Sequence, residues 1–337
     1  MTSRSALPLI ALLCLVAVVA PPARAWDGPT HMAVAGIAYD HLTVAERRRL
    51  VAIVKKHPDV ARLTSALGTP ASGRSLVMAA ATWPDLIKQD RTHFRDNGYN
   101  EAGPITAVVN DGKMHKGWHF IDIPISRDWD RTPMPPAPTA NTVDAVTVVG
   151  VLVRQLGGGE PAAQKAYDVY WLLHLVGDIH QPLHCATGVD VTYPNGDTGG
   201  NDVDVSAPGS GESELHAYWD DILGKGQGGA VADIAVANQI IRACRGATVT
   251  ADTLSTDPAA WAAESTTLTK DDVYKMGDPA SLHITTVAHE RHGVPVFHER
   301  FTLDSQYHDQ AVQVGRAQVQ LAGLRLAAVL RPILDPH

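Results

Sequence analysis

The chain has 337 residues, of which 45% are hydrophobic and 19% charged, with a formal net charge of −8. That composition supplies enough apolar side chain for a large core and excludes collagen-like, low-complexity and intrinsically disordered chains. The acidic balance also argues against a broad basic surface that grips nucleic acid along its phosphates.

Residues 1–25 read as a signal peptide. Arg4 supplies the positive start, Ala6 to Ala20 is an apolar run too short to span a bilayer, and Ala23-Arg24-Ala25 has the small-x-small form of a cleavage site. Cleavage after Ala25 makes Trp26 the first residue, removes Arg4, Arg24 and Cys14, and leaves a net charge of −10. No later segment is apolar enough to cross a membrane. A protein exported as residues 26–337, secreted or periplasmic, is therefore expected. Cys185 and Cys244 remain, and the sequence leaves one disulfide and two thiols equally open.

Asp27-Gly28-Pro29-Thr30 predicts a turn into a helix, with Pro at its start and His31 early on it. Thr43 to Lys56 predicts an amphipathic helix opened by a Thr43/Glu46 capping box. Leu76 to Lys88 predicts a further helix carrying Asp85. Gln89 to Met114 reads as loop, and Gly117 to Pro124 as an apolar stretch interrupted by His119 and Asp122. Pro133, Pro135, Pro136 and Pro138 make Asp128 to Asn141 an extended surface loop, followed by a helix from Asn141 to Leu156.

Tyr170 to His184 is the most informative stretch. It predicts an apolar helix that carries His174 and Asp178 at i and i+4, on one face. Pro182 cannot continue the helix, so the chain should turn near Gln181 and bring His184 back toward that face. Buried imidazoles and a carboxylate need compensation, which either a metal ion or plain hydrogen bonds can supply. Cys185 to Gly211 reads as a long irregular segment around Gly199-Gly200-Asn201. Glu214 to Asp220 then repeats the i, i+4 His/Asp spacing with His216 and Asp220, and two such pairs in apolar helices favour metal. Asp257 to Thr266 predicts a core helix, His283, His289, His292 and His298 a solvated segment, and Asp304 to Leu330 the last helix. Strand-like segments are few, so the fold class is mainly α, with long irregular loops.

The nitrogen and oxygen donors of Trp26, His31, Asp85, His119, His174, Asp178, His184, His216 and Asp220 suit catalytic zinc, which needs no thiolate. Their ordered motifs are Trp-x4-His, Trp-Pro-Asp, Trp-His-Phe-Ile-Asp, His-x3-Asp-x5-His and His-x3-Asp. Together they resemble the zinc-dependent single-strand nucleases of the S-one/P-one type, over nearly all of residues 26–337. That resemblance implies a single catalytic domain with the helical fold shared by zinc phospholipase C. It also implies three Zn2+ per chain: one on Asp85, His119, His174 and Asp178, one on Trp26 and His31 with Asp178 bridging, one on His184, His216 and Asp220. It further implies hydrolysis of single-stranded DNA and RNA, and of 3′-nucleotides, to 5′-phosphate products by a metal-activated hydroxide. Catalytic roles fall on Asp85, Asp178 and Lys88, the last as the transition-state cation. Phe120 would stack a base, Asp122 would bond its edge, and Asn201 would touch phosphate or orient a ligand. A monomer is expected. A zinc phospholipase C is the alternative, disfavoured because that family spaces its first His further from the N-terminal Trp and has Glu where Asp220 stands.

Overall fold

The computed structural model describes residues 26–335, apart from 69–70, 100, 102–104, 106–108, 110, 129, 140, 209–210, 248–253 and 292–293. The expected signal peptide, with Cys14, lies outside the described residues.

Among the described residues, eleven α-helices run in chain order: α1 (Gly28–Asp40), α2 (Val44–Val54), α3 (Val60–Leu67), α4 (Gly73–Ala80), α5 (Trp83–Gln89), α6 (Ala145–Leu156), α7 (Ala162–Ile179), α8 (Leu215–Asp220), α9 (Ala230–Cys244), α10 (Pro258–Leu268) and α11 (Ser305–Leu334). The mainly helical class therefore holds. α7 is the axis. Almost every side chain from Ala166 to Ile179 is buried, and α1, α2, α5, α6, α10 and α11 pack around it. A helix apolar all round belongs in a core, which is where this one sits. Trp83 and Trp118 close on Trp171 of α7, with ring centroids 6.1 and 4.8 Å away. Each buried tryptophan removes roughly 200 Å² from water, about 5 kcal/mol of gross hydrophobic gain.

The expected starts hold: Pro29 lies at the opening of α1, which Asp27 caps, and Thr43 and Glu46 close the predicted box at α2. Three boundaries differ from expectation. The helix predicted over Leu76 to Lys88 is broken at Ala81 and Thr82, and α5 restarts with Trp83 and Pro84, so Asp85 lies inside its first turn. The helix expected from Asn141 begins at Ala145, because Asp144 caps it with a box of its own to Thr147. The last helix continues past Leu330 to Leu334, with Pro332 inside it.

The described residues also form six strands: β1 (Pro124–Ser126), β2 (Thr187–Val189), β3 (Asp204–Ala207), β4 (Gly211–Glu214), β5 (Thr285–Arg291) and β6 (Val294–Thr302). The parallel β1–β2 pair matters for the site, since it registers the segment after His119 against the segment after His184. The other four form a sheet in the order β4-β3-β6-β5. Its β5–β6 hairpin replaces the solvated segment expected around His283 to His298. Cys185 and Cys244 are buried free thiols. Among the described residues, no helix is long and apolar enough to cross a membrane.

Candidate metal centre

α7 ends at Ile179 with His180 as C-cap, and Pro182–His184 turns back as a short 3-10 helix. That reversal brings His184 Nδ1 within 3.9 Å of Asp178 Oδ1. Asp178 is fully buried and lies at the centre of four imidazoles. Its Oδ2 is 3.0 Å from His119 Nδ1 and 3.2 Å from His174 Nε2, and its Oδ1 is 3.3 Å from His31 Nε2. His31 reaches it from α1, with its ring stacked on His174 at 3.8 Å. Gly177 makes that approach possible, because a Cβ there would lie 2.8 Å from His31 Nδ1. Asp85 enters from α5, 3.7 Å from His174 Nε2, with the Lys88 ammonium 2.6 Å from its Oδ1.

The His216/Asp220 pair lies on α8. His216 Nε2 faces His184 Nε2 at 3.1 Å and is 3.6 Å from Asp220 Oδ2. Among the described residues, three groups converge closely enough to hold a metal: His31/Asp85/His174, His119/His174/Asp178 and His184/His216/Asp220. Eight of the nine expected ligand residues contribute side chains to these groups. The ninth, Trp26, is fully buried, and the next residue's N–H donates to Asp220 O at 3.2 Å. His283 and His298 belong to none of them. His283 is exposed and His298 Nδ1 bonds the Asp202 carbonyl. His292 and the His289 side chain lie outside what is described.

Hydrogen bonding fixes the tautomers. A carbonyl only accepts, so an imidazole nitrogen bonded to one carries the proton. His174 Nδ1 donates to Ala81 O, His184 Nδ1 to His119 O and His216 Nδ1 to Gly199 O, each at 2.7 Å. In the neutral rings Nε2 is then a lone pair. The His184 and His216 lone pairs point at one another across 3.1 Å, an arrangement that repels unless a cation lies between them. Buried His31 Nε2, Asp178 Oδ1 and Asp220 Oδ2 also lack any hydrogen bond. Nitrogen and carboxylate donors with unspent lone pairs and no thiolate fit zinc.

The electrostatics keep most of these imidazoles neutral. Burial pushes His119 and His216 down to about 3, helped by Lys88 and by His184 respectively, and burial also lowers His31 and His184. His174 is the exception: burial lowers it, but Asp178 and Asp85 outweigh that and raise it. For Asp178 burial works upward, yet the surrounding imidazoles hold the carboxyl well below its usual range. For Asp220 burial outweighs the hydrogen bond from Gln181 and raises the carboxyl well above its usual range.

Two features outside the ligand set were not visible in the sequence. Fully buried Asp197 accepts from the Gly188 and Gly200 amides at 2.8 and 3.1 Å and pairs with Arg127 at 3.3 Å. It thereby fixes the turn in which Thr198, Gly199 and Gly200 all have positive φ, and that turn presents the carbonyl that orients His216. Asn201 donates its side-chain amide to Thr198 O at 2.7 Å and serves the same turn. The second feature is His115, buried against Trp118, with Nδ1 2.7 Å from Glu101 and Nε2 3.0 Å from Asp111. It ties the loop before His119 to the core.

Burial lowers the His115 pKa, but the bonded Asp111 and Glu101 carboxylates outweigh it and raise it above 6.5. A raised folded value contributes stability that is full below the unfolded pKa and is lost as pH climbs through the folded one. The stability gap between wild type and His115→Gln should therefore be wide at pH 6 and narrower at pH 9. Denaturant unfolding at the two pH values measures it, and a gap that does not change with pH contradicts the ion pairing.

Phe120 follows His119 in extended backbone. It is half-buried, its ring centroid 6.0 Å from exposed Tyr99. Asp122 is exposed. Surrounding protein and Asp197 raise its carboxyl to about 6, a rise that its contact with water screens in part.

The chain matches no curated protein. The S1/P1 Nuclease family model matches residues 26–335, nearly the whole chain. The helical fold agrees with that family's zinc phospholipase C-like architecture. This chain belongs to the S1/P1 nuclease family, and is a nuclease that hydrolyses phosphodiester bonds.

Proposed function

We propose that the protein is an exported, monomeric enzyme that cuts single-stranded DNA and RNA, and 3′-nucleotides, to 5′-phosphate products at a three-zinc centre. The observation that carries this reading is the pair of buried Nε2 lone pairs of His184 and His216, which face each other across 3.1 Å. Asp85, His119, His174 and Asp178 would hold one zinc. Trp26, through its amine and carbonyl, and His31 would hold a second, sharing Asp178. His184, His216 and Asp220 would hold the third. Zinc, when bound, supplies Lewis acidity and lowers the pKa of a water to near neutrality.

The chain's own residues do the rest. Asp178 would be shared by the first two sites, since its Oδ2 lies beside His119 and His174 and its Oδ1 beside His31. Lys88, 2.6 Å from Asp85, brings a fixed positive charge to the edge of the centre, where it would steady charge on the phosphate. Phe120 offers a ring face beside the centre, and Asp122 an exposed carboxylate to the edge of a stacked base. A duplex hides both base face and base edge, which accounts for the single-strand preference. With a net charge near −10, the footprint would be only a few nucleotides. Asn201, whose amide is committed to the turn, orients rather than binds substrate.

Incubating purified residues 26–337 with single-stranded DNA and with RNA, with and without chelator, tests the reading. Acid-soluble 5′-phosphorylated nucleotides should appear and chelator should abolish them. Release of phosphocholine from phosphatidylcholine without nucleotide release would overturn it. Phe120→Ala should weaken productive binding of single strands by about 5- to 150-fold, the worth of one stacked base. Unchanged KM for both nucleic acids would remove Phe120 from the substrate site.

A further inference from the structure

Gln181 is fully buried between the two segments that carry His184 and Asp220. Its Oε1 accepts the Leu183 amide at 2.6 Å, inside the turn that ends in His184. Because that oxygen is spent on an N–H, the amide group can be oriented only one way, and its Nε2 donates to Asp220 Oδ1 at 2.7 Å. The other carboxylate oxygen, Oδ2, has no hydrogen bond and lies toward His216 Nε2, 3.6 Å away. One side chain thus engages one Asp220 oxygen, leaves the other for the centre, and clamps the His184 turn onto α8.

We propose that Gln181 is a positioning residue for the His184/His216/Asp220 site, selecting which Asp220 oxygen faces the cation; this rests on the three-zinc reading above. Partners that bond a ligand from outside the coordination sphere commonly set metal affinity by 10- to 100-fold. Gln181 differs from the imidazole partners at the centre, all of them backbone carbonyls, in being a replaceable side chain.

The test uses purified residues 26–337, stripped and then titrated with zinc against a chromophoric chelator. Gln181→Met keeps the volume and removes both hydrogen bonds. It should weaken one zinc of the three by about 10- to 100-fold and leave the other two as in wild type. Gln181→Glu guards against a folding failure, since its carboxyl is isosteric and still accepts from Leu183. Ionised, it cannot donate to Asp220, and protonated it can. Its zinc deficit relative to wild type should therefore be largest near pH 7.5 and shrink toward pH 5.5. A pure packing role would not produce that pH signature. The proposal is overturned if Gln181→Met binds all three zincs with wild-type affinity, if it weakens all three alike, or if the Gln181→Glu deficit ignores pH. Wild type that binds fewer than three zincs would refute the three-zinc reading, and this proposal with it.

Discussion

Asp178→Asn is expected to lower kcat/KM by about a thousandfold or more and to leave the chain holding one zinc in place of three. Asn matches Asp in shape, so the change tests charge and lone pairs rather than volume. Asp178 is fully buried and reaches His31, His119 and His174 within 3.3 Å. Asp85 also converges with His31 and His174, but among the described residues Asp178 alone lies within 3.3 Å of all three imidazoles. An amide in that position turns a donor toward at least one imidazole lone pair and supplies no negative charge. Several kcal/mol of transition-state stabilisation depend on the metals, and about 1.4 kcal/mol is a factor of ten in rate. The His184/His216/Asp220 group carries its own carboxylate, so its zinc should stay. Metal analysis beside steady-state kinetics on single-stranded DNA decides the matter. Three retained zincs with activity within tenfold of wild type would show that Asp178 does not organise the centre.

How much of this was readable in the chain depends on the range of the interaction. Local chemistry read well. The Thr43/Glu46 box, the Asp27-Gly-Pro start and the His174/Asp178 face all act within one helical turn, and all are present. Boundaries failed where two local signals competed. The helix starts after Asp144 and not at Asn141 because the Asp144 carboxylate bonds the Thr147 amide at 2.8 Å, and Thr82-Trp83-Pro84 restarts a helix that apolar periodicity alone would run through. The β5–β6 hairpin was missed because a His-rich run has no clear period of two, and its pairing with β3 joins residues about a hundred positions apart. Gln181 and Asp197 were passed over for a related reason. A glutamine beside a proline, or an aspartate before glycines, is ordinary turn chemistry until the structure shows what lies opposite. Asp220 is 39 positions from Gln181 in the chain. The proposed ligands stand out in the sequence because their side chains are costly to bury, and that cost is visible residue by residue.

Adding one alanine before Trp26 is expected to remove most activity and one zinc per chain, while the fold survives. The reason is the chemistry of a single nitrogen. A free α-amine has a pKa near 8, so it can give up its proton and offer a lone pair. Once acylated, that nitrogen becomes an amide whose lone pair is delocalised into the carbonyl, and it can no longer act as a neutral ligand. The Trp26 side chain is fully buried, and its indole should pack as before. The Asp27 amide would still meet the Asp220 carbonyl. What changes is confined to the His31 side of the centre, where Asp178 Oδ1 and His31 Nε2 are both buried without hydrogen bonds and would lose a co-ligand. Loss should therefore show first as metal content, with the melting temperature of the chelated form unchanged. If cleavage after Ala25 is what frees this amine, it is also what completes the enzyme, and an uncleaved precursor would be close to inactive while still inside the cell. Metal analysis and kinetics on the two purified forms, differing only in that alanine, test the argument directly. Three zincs and full activity in the extended form would take Trp26 out of the ligand set and leave His31 to be explained by Asp178 and His174 alone.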